Sequence, residues 1–295
     1  MPQIRRVGIV AKSHLKAAAG HLGEIAEWLA ARGIEPVFET DTAALMTMPS
    51  HGIKRERRDE LPCRTDLILV LGGDGTLLGM ADRIAAAGMD VPILGVNFGS
   101  LGFLTEITLP ELYGSLESAL AGTADIEERL MLRARTTRGG QTFTDLVVLN
   151  DVVITKGALA RIIDLSVSVS GQFVMRVKAD GLIVASPTGS TAYNLATAGP
   201  IVHPHVDAFV LTPIAPHTLT NRPIVIPASA EVQVQPLVDS KNDEIYVTFD
   251  GQSGFQLQAD DLVHVSRAER PLRLVRSSSR SYFETLRQKL KWGER

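Results

Sequence analysis

DLILVLGGDGTLLGM, at residues 66–80, predicts a buried strand, a glycine turn and the start of a helix. The run from Leu67 to Leu71 is apolar and rich in β-forming residues, which is typical of a strand buried on both faces. Gly72, Gly73 and Gly75 then allow a tight turn whose backbone is open to a ligand. The apolar residues after Thr76 have helical spacing. A strand, a glycine turn and a helix N-terminus form a site for phosphate, because free N–H groups and the helix dipole point there.

The same turn carries a carboxylate, Asp74. An acid beside phosphates is repulsive unless it faces a metal ion or accepts a proton from a reacting hydroxyl group. The turn therefore indicates phosphoryl transfer rather than plain nucleotide binding. The alternative is that Asp74 only caps the helix that follows.

Composition limits the classes of protein to which the chain can belong. Its 295 residues suggest two domains, and a net charge of −3 with scattered basic residues gives no footprint for nucleic acid. Cys63 is the only cysteine, which excludes an intramolecular disulfide and a cysteine metal cluster. The apolar run Val7–Ala11 is too short for a signal peptide, and no run reaches the roughly 18 residues of a membrane span. We expect a soluble cytoplasmic protein with no nucleic-acid or membrane partner.

A second glycine turn follows the next predicted strand, Pro92–Val96, at residues 97–103 (NFGSLGF). Two such turns after successive strands meet at one edge of a parallel sheet, where ligands of open α/β sheets bind. The alternative is that Gly99 and Gly102 only permit close packing. Residues 49–65 are polar and charged, and we interpret them as a mobile surface loop. Its basic cluster is either solvated or, as an alternative, a flap that reaches the phosphates of a nucleotide.

The pattern changes near residue 125 to short β-rich runs separated by turn signals. Hairpins are predicted at Gly139-Gly140 and at Gly171-Gln172. One helix interrupts the runs at about residues 190–198, and a terminal helix at 282–291 is expected to pack on the first domain. We therefore predict an α/β nucleotide-binding domain at 1–124, joined by 277–295, and a β-rich domain at 125–276.

Three polar segments of the second domain carry candidate chemistry. Asn150 and Asp151 lie between apolar runs, and a turn or bulge would let both reach one ligand; the alternative is a hydrogen-bonded edge. Residues 178–196, KADGLIVASPTGSTAYNLA, lead from a strand through a hydroxyl-rich loop into a helix, where Ser190 or Thr191 is expected to cap. FDGQ, residues 249–252, suggests a turn beside a polar group. The sequence has no zinc pattern, GxSxG motif or Walker loop.

Together these segments resemble the NAD kinase family. The matching motifs are GGDGT (72–76), GVNFGSLGFLTE (95–106), Asn150-Asp151, DGLIVASPTGSTAYNLA (180–196), AGPIVHP (198–204) and FDGQ (249–252). GGDGT alone is shared with lipid kinases of the diacylglycerol kinase type, whereas the segment 180–196 is similar to NAD kinases. Many family members have Glu at the position of Asp151, so the carboxylate here is one methylene shorter.

The resemblance implies a Rossmann-like α/β N-terminal domain, a β-sandwich-type C-terminal domain and an active site in the cleft between them. It also implies a homodimer or homotetramer. The implied reaction moves the γ-phosphoryl group of ATP, with a divalent ion such as Mg²⁺, to the 2′-hydroxyl of the adenosine ribose of NAD, giving NADP. A secondary hydroxyl is a poor nucleophile, so Asp74 is predicted to accept its proton, and Gly75 to let the ribose and phosphates approach.

By position in the family motifs, Asn150 and Asp151 are predicted to hold ribose hydroxyls or neighbouring parts of the dinucleotide. The other residues predicted to line the dinucleotide site are Asp180, Thr191, Ala192, Tyr193, Asn194, Leu195, Ala196 and Gln252. Arg161 and Lys178 fall at basic positions expected near NAD; the alternative for both is a surface salt bridge. The metal ion is expected on the ATP phosphates, so no protein ligand is named.

Two other functions stay open from the sequence. One is a non-catalytic module that senses NAD(P), although the acid Asp74 has little use in a pure binder. The other is a lipid kinase, although, apart from its short tail, the sequence shows no exposed apolar or basic amphipathic helix that would meet a membrane.

Overall fold

The computed structural model describes residues 3–13, 15, 18–46, 53–99, 101–157, 162–218, 220–237 and 244–293. The chain divides into two compact units. The first consists of Met1–Glu128 with Leu272–Arg295, and the second is the continuous segment Arg129–Pro271. No helix in the described ranges combines the length and apolarity that crossing a membrane requires.

The first unit contains a mostly parallel sheet with helices. Its strands, numbered with the rest in chain order, are β1 (Arg6–Ala11), β2 (Glu35–Glu39), β3 (Lys54–Glu56), β4 (Leu67–Gly72), β5 (Ile93–Asn97), β6 (Ile107–Thr108), β7 (Ile126–Arg129) and β20 (Leu272–Val275). Its helices are α1 (Ala19–Ala30), α2 (Thr40–Ala43), α3 (Leu61–Arg64), α4 (Asp74–Ala86), α5 (Leu112–Leu120) and α7 (Tyr282–Leu290), with a 3-10 turn at Leu109–Glu111. The strand order is β3-β2-β1-β4-β5-β20-β7, and β6 also pairs with β5.

The centre of this sheet is formed by β4, whose residues are all buried. It runs parallel to both β1 and β5, with Leu69 opposite Ile9 on one side and Leu94 on the other. Gly72 is opposite Asn97, so the two glycine turns follow neighbouring parallel strands at one edge of the sheet. The predicted arrangement of the two turns is confirmed.

A polar part of the first unit is more ordered than its sequence suggests. We predicted a loop at residues 49–65, yet β3 pairs in parallel with β2, and Leu61 is fully buried. Leu61 packs so closely on β1 that a Cβ at Gly8 would lie 2.6 Å from it. Arg58 pairs with the buried carboxylate of Glu39 at 2.5 Å. The loop prediction is wrong at Lys54–Glu56 and Leu61–Arg64, which form β3 and α3; residues 49–52 lie outside the described ranges.

The C-terminal segment belongs to the first unit. Arg276 pairs with the buried carboxylates of Glu106 at 3.1 Å and Glu127 at 2.7 Å. Arg280 donates to the carbonyl of Glu106 at 2.7 Å and pairs with Glu111 at 3.1 Å. The sheet of this unit also includes β7 and β20, two short strands that the sequence pattern grouped with the β-rich region.

The second unit consists of two antiparallel six-stranded sheets. Its strands are β8 (Leu132–Arg138), β9 (Gln141–Val148), β10 (Asp151–Lys156), β11 (Ile163–Val169), β12 (Gln172–Ala179), β13 (Gly181–Ala185), β14 (Ala208–Ile214), β15 (Ile224–Pro227), β16 (Val232–Pro236), β17 (Ile245–Phe249), β18 (Ser253–Leu257) and β19 (Leu262–Arg267). One sheet has the order β15-β14-β13-β10-β17-β18, and the other β12-β11-β16-β19-β8-β9. A 3-10 turn at Gly189–Thr191 and the helix α6 (Tyr193–Ala196) follow β13.

The two sheets share one hydrophobic core, as expected for a sandwich. Val152 and Ile154 of β10 pack in it with Leu165 and Val167 of β11 from the other sheet. Val153, between them in sequence, points to the opposite face and packs with a smaller cluster. This alternation is the period of two that a strand imposes on its side chains. The β-sandwich-type prediction is confirmed.

Both hairpins exist, with one change of register. Gly139 and Gly140 connect β8 to β9, and both have positive φ. The second turn is Ser170-Gly171 rather than Gly171-Gln172, because Val169 is opposite Gln172 in the ladder. Both residues of this turn have positive φ, so Ser170 takes a position where glycine or asparagine is more usual.

Candidate functional site

The first glycine turn connects β4 to α4 as predicted, but Asp74 does not cap the helix. Gly73 is the N-cap, with extended φ and ψ, and Asp74 is the first residue of α4. The N–H groups of Thr76 and Leu77 already donate to the carbonyl of Gly73, at 3.0 and 3.3 Å. Within the described ranges, no acceptor is found for the N–H groups of Asp74 and Gly75, which is typical of a helix N-terminus.

The side chain of Asp74 is anchored by the segment after the second glycine turn. Its Oδ2 accepts the N–H of Phe103 at 2.8 Å. Its Oδ1 accepts the N–H groups of Leu104 and Thr105, at 3.1 and 3.0 Å, and the hydroxyl of Thr105 at 2.9 Å. A Cβ at Gly102 would overlap this carboxylate, so only glycine fits there. The two turns predicted to lie side by side are therefore joined through Asp74.

The glycines of the first turn have different roles. A Cβ at Gly72 would lie 2.8 Å from the hydroxyl of Thr76 and 3.2 Å from Cβ of Lys12, so close packing requires this glycine. A Cβ at Gly73 or Gly75 would have no atom within 4 Å, and neither residue has a positive φ. Packing among the described residues therefore does not require glycine on either side of Asp74. The open space there leaves room for a ligand to approach the backbone.

Leu149 and Asn150 connect β9 to β10, which begins at Asp151, and residues 149–151 together are called the bend. The carboxylate of Asp250 accepts three consecutive backbone N–H groups of this bend. The distances are 2.8 Å from Leu149 to Oδ2, and 2.8 and 3.0 Å from Asn150 and Asp151 to Oδ1. The N–H of Asp250 donates back to the carbonyl of Asp151 at 3.0 Å.

The hydroxyl-rich loop holds the other side of the bend. The N–H of Ser186 donates to the carbonyl of Asn150 at 2.9 Å, and its hydroxyl donates to the carbonyl of Leu149 at 2.5 Å. A Cβ at Gly189 would overlap the backbone of Asn150, so glycine is required where the loop crosses the bend. Residues 149–151, 186–191 and 249–252 thus form one loop cluster.

The side chains of Asn150 and Asp151 are left for other partners. No hydrogen-bond partner of either side chain is found in the described ranges, although Asp151 is only 4% exposed. Burial, and second the charge of Asp250, raises the pKa of Asp151 to about 7. Both side chains are therefore available to a ligand that supplies hydrogen bonds.

Most hydroxyls of the loop stabilise the loop itself. Ser190 donates to the carbonyl of Pro187 at 2.6 Å and accepts the N–H of Val202 at 3.0 Å. Thr191 donates to the carbonyl of Thr188 at 3.2 Å. The prediction that Ser190 or Thr191 caps a helix is wrong, because the chain forms a 3-10 turn, breaks at Ala192 and continues as a four-residue α6.

The residues of α6 differ in what they can offer a ligand. The side chain of Tyr193 is 45% exposed, whereas Asn194 is fully buried. Asn194 donates to the carbonyls of Ser190 and Pro200, both at 3.0 Å, and accepts the hydroxyl of Thr212 at 2.6 Å. Its side chain is therefore occupied within the protein. The remaining predicted residues here, Thr191, Ala192, Leu195 and Ala196, are half-buried or exposed.

Asp180 and Lys178 lie away from the loop cluster. Asp180 precedes β13 and Ser186 follows it, so at about 3.3 Å per residue they are roughly 20 Å apart. Asp180 pairs with Lys156 at 3.0 Å. Lys178 is exposed, with its Nζ 3.8 Å from Oδ2 of Asp164. Gln252, by contrast, is exposed on the turn beside Asp250. Arg161 lies outside the described residues.

The described ranges contain no group of three or more His, Cys, Asp or Glu side chains that could hold a metal ion. Asp250 is the functional candidate that sequence reasoning missed. Its signal was present in FDGQ, where Gly251 marked a turn, but only Gln252 was named from that motif.

The family models and the similar proteins all identify the same family. The ATP-NAD kinase N-terminal domain matches residues 7–124, and the ATP-NAD kinase C-terminal domain matches residues 149–277. The chain is 50% identical to the NAD kinase of Geotalea daltonii over 292 residues, covering 99% of this chain and 100% of that one. It is also 50% identical to the NAD kinase of Geobacter sulfurreducens, with the same coverage.

Solved structures show the same fold. An NAD kinase from Archaeoglobus fulgidus in complex with ATP has a TM-score of 0.73 and 26% identity, and the match covers 96% of this chain and 99% of that one. Yeast NADH kinase complexed with NADH has a TM-score of 0.88 over 100% of this chain and 89% of that one, at 22% identity.

Proposed function

The chain belongs to the ATP-NAD kinase family, a family of phosphotransferases, and we propose that it transfers the γ-phosphoryl group of ATP to NAD. The acceptor is the 2′-hydroxyl of the adenosine ribose, and the products are NADP and ADP. The observation that carries the proposal is the open space at Gly73 and Gly75, on either side of an anchored carboxylate.

In this proposal Asp74 is the general base. Its four hydrogen bonds fix the orientation of the carboxylate, which favours a reactive geometry before the substrate arrives. Oδ1 accepts three donors and Oδ2 accepts one, so Oδ2 has the room to take the proton of the ribose hydroxyl. A positioned base contributes about 10²–10⁴-fold to such a rate.

The phosphates of ATP approach the N-terminus of α4, where the N–H groups of Asp74 and Gly75 can donate to them. A divalent ion such as Mg²⁺, bound mainly by the ATP phosphates, would neutralise the charge that develops during transfer.

The dinucleotide binds at the loop cluster in this proposal. Asn150 and Asp151 hold ribose hydroxyls, since their side chains have no protein partners in the described ranges and Asp151 is buried. Tyr193 lies against a base or hydrogen-bonds a ribose. Residues 191–196 and Gln252 complete the contacts, and Asn194 contributes through its backbone because its side chain is occupied.

The position of Asp180 and Lys178 supports a homodimer or homotetramer. Both are predicted to contact NAD, yet they lie at the far end of β13 from the loop cluster. A second copy of the chain can bring its own Asp180 and Lys178 to the cluster of the first. Light scattering would give the number of copies. Mixing an Asp180→Ala chain with an Asp151→Ala chain would restore some turnover if sites are shared, and none if they are not.

The deciding experiment is incubation of the protein with ATP, Mg²⁺ and NAD, followed by detection of NADP. Turnover of NAD supports the proposal. Retained NAD binding without turnover would instead favour a sensing module, and phosphorylation of a lipid but not of NAD would favour a lipid kinase. A cytoplasmic location is part of the proposal and can be tested by cell fractionation.

A further inference from the structure

The carboxylate of Asp250 holds the backbone of the dinucleotide-binding bend, not its side chains. Each of its oxygens is within 3.0 Å of at least one N–H group of residues 149–151. Three consecutive N–H groups that converge on one carboxylate fix both the position and the direction of the bend. The same device occurs in the first unit, where Asp74 binds the N–H groups of residues 103–105.

The backbone of Asp250 is adapted to this contact. Its φ is +50°, and the φ of Gly251 is +63°. Asp and Asn are tolerated in this left-handed conformation better than other residues with side chains. Phe249 pairs with Val152, so β17 ends where β10 begins and presents Asp250 to the bend.

The backbone of the bend is hydrogen-bonded from two sides, while the side chains of Asn150 and Asp151 have no partner among the described residues. Asp250 takes the N–H groups of Asn150 and Asp151, and Ser186 takes the carbonyl of Asn150 at 2.9 Å. Because the backbone of the bend is fixed, it determines where the amide of Asn150 and the carboxyl of Asp151 point. Neither group has a side-chain partner of its own among the described residues.

We propose that Asp250 is the positioning residue of the dinucleotide site: its carboxylate fixes the bend at residues 149–151 and so presents Asn150 and Asp151 to the ribose hydroxyls of NAD. The inference rests on the proposed function, and it assigns a role to a residue that need not touch the substrate.

The test compares Asp250→Asn with the wild-type chain. Asn at position 250 still tolerates a positive φ, and its side-chain oxygen can still accept the N–H groups of Asn150 and Asp151. In place of the second oxygen, however, it has an NH₂ group, which cannot accept the N–H of Leu149. We expect the KM for NAD to rise by about tenfold or more, because hydrogen bonds to charged groups are worth at least that factor. The KM for ATP is expected to stay unchanged.

Asp261→Asn is the matched control. Asp261 is another carboxylate of the second unit that accepts a backbone N–H; it is buried, accepts the N–H of Gln258 at 2.8 Å and pairs with Arg138 at 2.6 Å. Its loss is expected to lower stability without changing the KM for NAD. If both variants raise this KM in proportion to their loss of stability, Asp250 is merely structural and the proposal is wrong.

A pH profile of the NAD affinity measures how strongly the charge of Asp250 acts on Asp151. Burial is the largest cause of the raised pKa of Asp151, and the negative charge of Asp250 raises this pKa further. In Asp250→Asn, the acid limb of the NAD affinity should therefore move to lower pH.

Calorimetric titration with NAD alone separates this inference from the proposed function. If the wild-type chain makes no NADP, the proposed reaction fails, yet weaker NAD binding by Asp250→Asn still supports the positioning role. If the wild-type chain is active and Asp250→Asn binds NAD with unchanged affinity, the inference is overturned.

Discussion

Thr105 donates both its backbone N–H, at 3.0 Å, and its hydroxyl, at 2.9 Å, to Oδ1 of Asp74. The residue that we propose as the base is therefore also the anchor of the second glycine turn. A substitution of Asp74 acts on chemistry and on structure together, so the two effects need a control that separates them.

We expect Asp74→Asn to lower the turnover rate by at least about a hundredfold, because an amide cannot accept the proton of the ribose hydroxyl. The control is Thr105→Val, which removes one of the four donors and keeps the acid. It should unfold at a lower denaturant concentration while keeping most of its turnover. Near wild-type turnover of Asp74→Asn, measured under saturating ATP and NAD, would remove Asp74 from the mechanism.

Tyr193→Ala should mainly weaken NAD binding. The side chain is 45% exposed, so its removal costs the fold little. Stacking of a base on an aromatic ring is worth about 1–3 kcal/mol, which corresponds to a rise of about five- to 150-fold in the KM for NAD. Tyr193→Phe distinguishes the two contacts, since it keeps a stacked base and loses a hydrogen bond to ribose. An unchanged KM in Tyr193→Ala contradicts any contact.

Two asparagines of the second unit should respond in opposite ways. Asn194→Ala leaves the hydroxyl of Thr212 and two backbone carbonyls without their partner, so we expect a loss of at least about 2 kcal/mol in the free energy of unfolding. Asn150→Ala should change stability by less than about 0.5 kcal/mol and raise the KM for NAD, because its side chain has no protein partner in the described ranges. Urea unfolding and steady-state kinetics of both variants test this; equal stabilities would contradict it.

Stability should depend on pH through Asp151. Its pKa is raised from 3.8 to about 7, so between these values the folded chain holds a proton that the unfolded chain has released. The contribution of Asp151 to the free energy of unfolding therefore falls as pH rises through this window, by roughly 1.4 kcal/mol per pH unit.

Asp151→Asn removes this titration. Relative to the wild-type chain, the variant should gain stability as pH rises from about 4 to about 7, and the difference should stay constant above that. Urea unfolding without NAD, repeated across this range, measures the difference. Parallel curves for the two proteins would show that Asp151 does not titrate in this window.

The sequence predicted those elements that depend on interactions between residues close together in the chain. The apolar run of β4 and its three glycines indicated the strand, the turn and α4, because each signal lies within a few residues. By contrast, β3 is polar and only three residues long, and backbone pairing with β2 defines it. No periodicity reveals such a strand.

The candidate site shows the same difference between short-range signals and long-range contacts. Motif positions suggested Asn150, Asp151 and Tyr193, but they could not show that the side chain of Asn194 is used inside the protein. Asp250 acts on backbone N–H groups about 100 residues earlier in the chain. A contact between residues so far apart in the chain produces no recognisable pattern in the sequence, so only the folded chain reveals it.

The strand β20 pairs with β5, and in the order of the sheet it stands between β5 and β7. A ribosome releases this strand only after the whole of Arg129–Pro271 has been synthesised. The second unit is continuous and can acquire its structure while translation proceeds, whereas the sheet of the first unit stays incomplete until Leu272–Val275 has been synthesised. A premature stop shortly before Leu272 would thus damage the half of the protein that was made first.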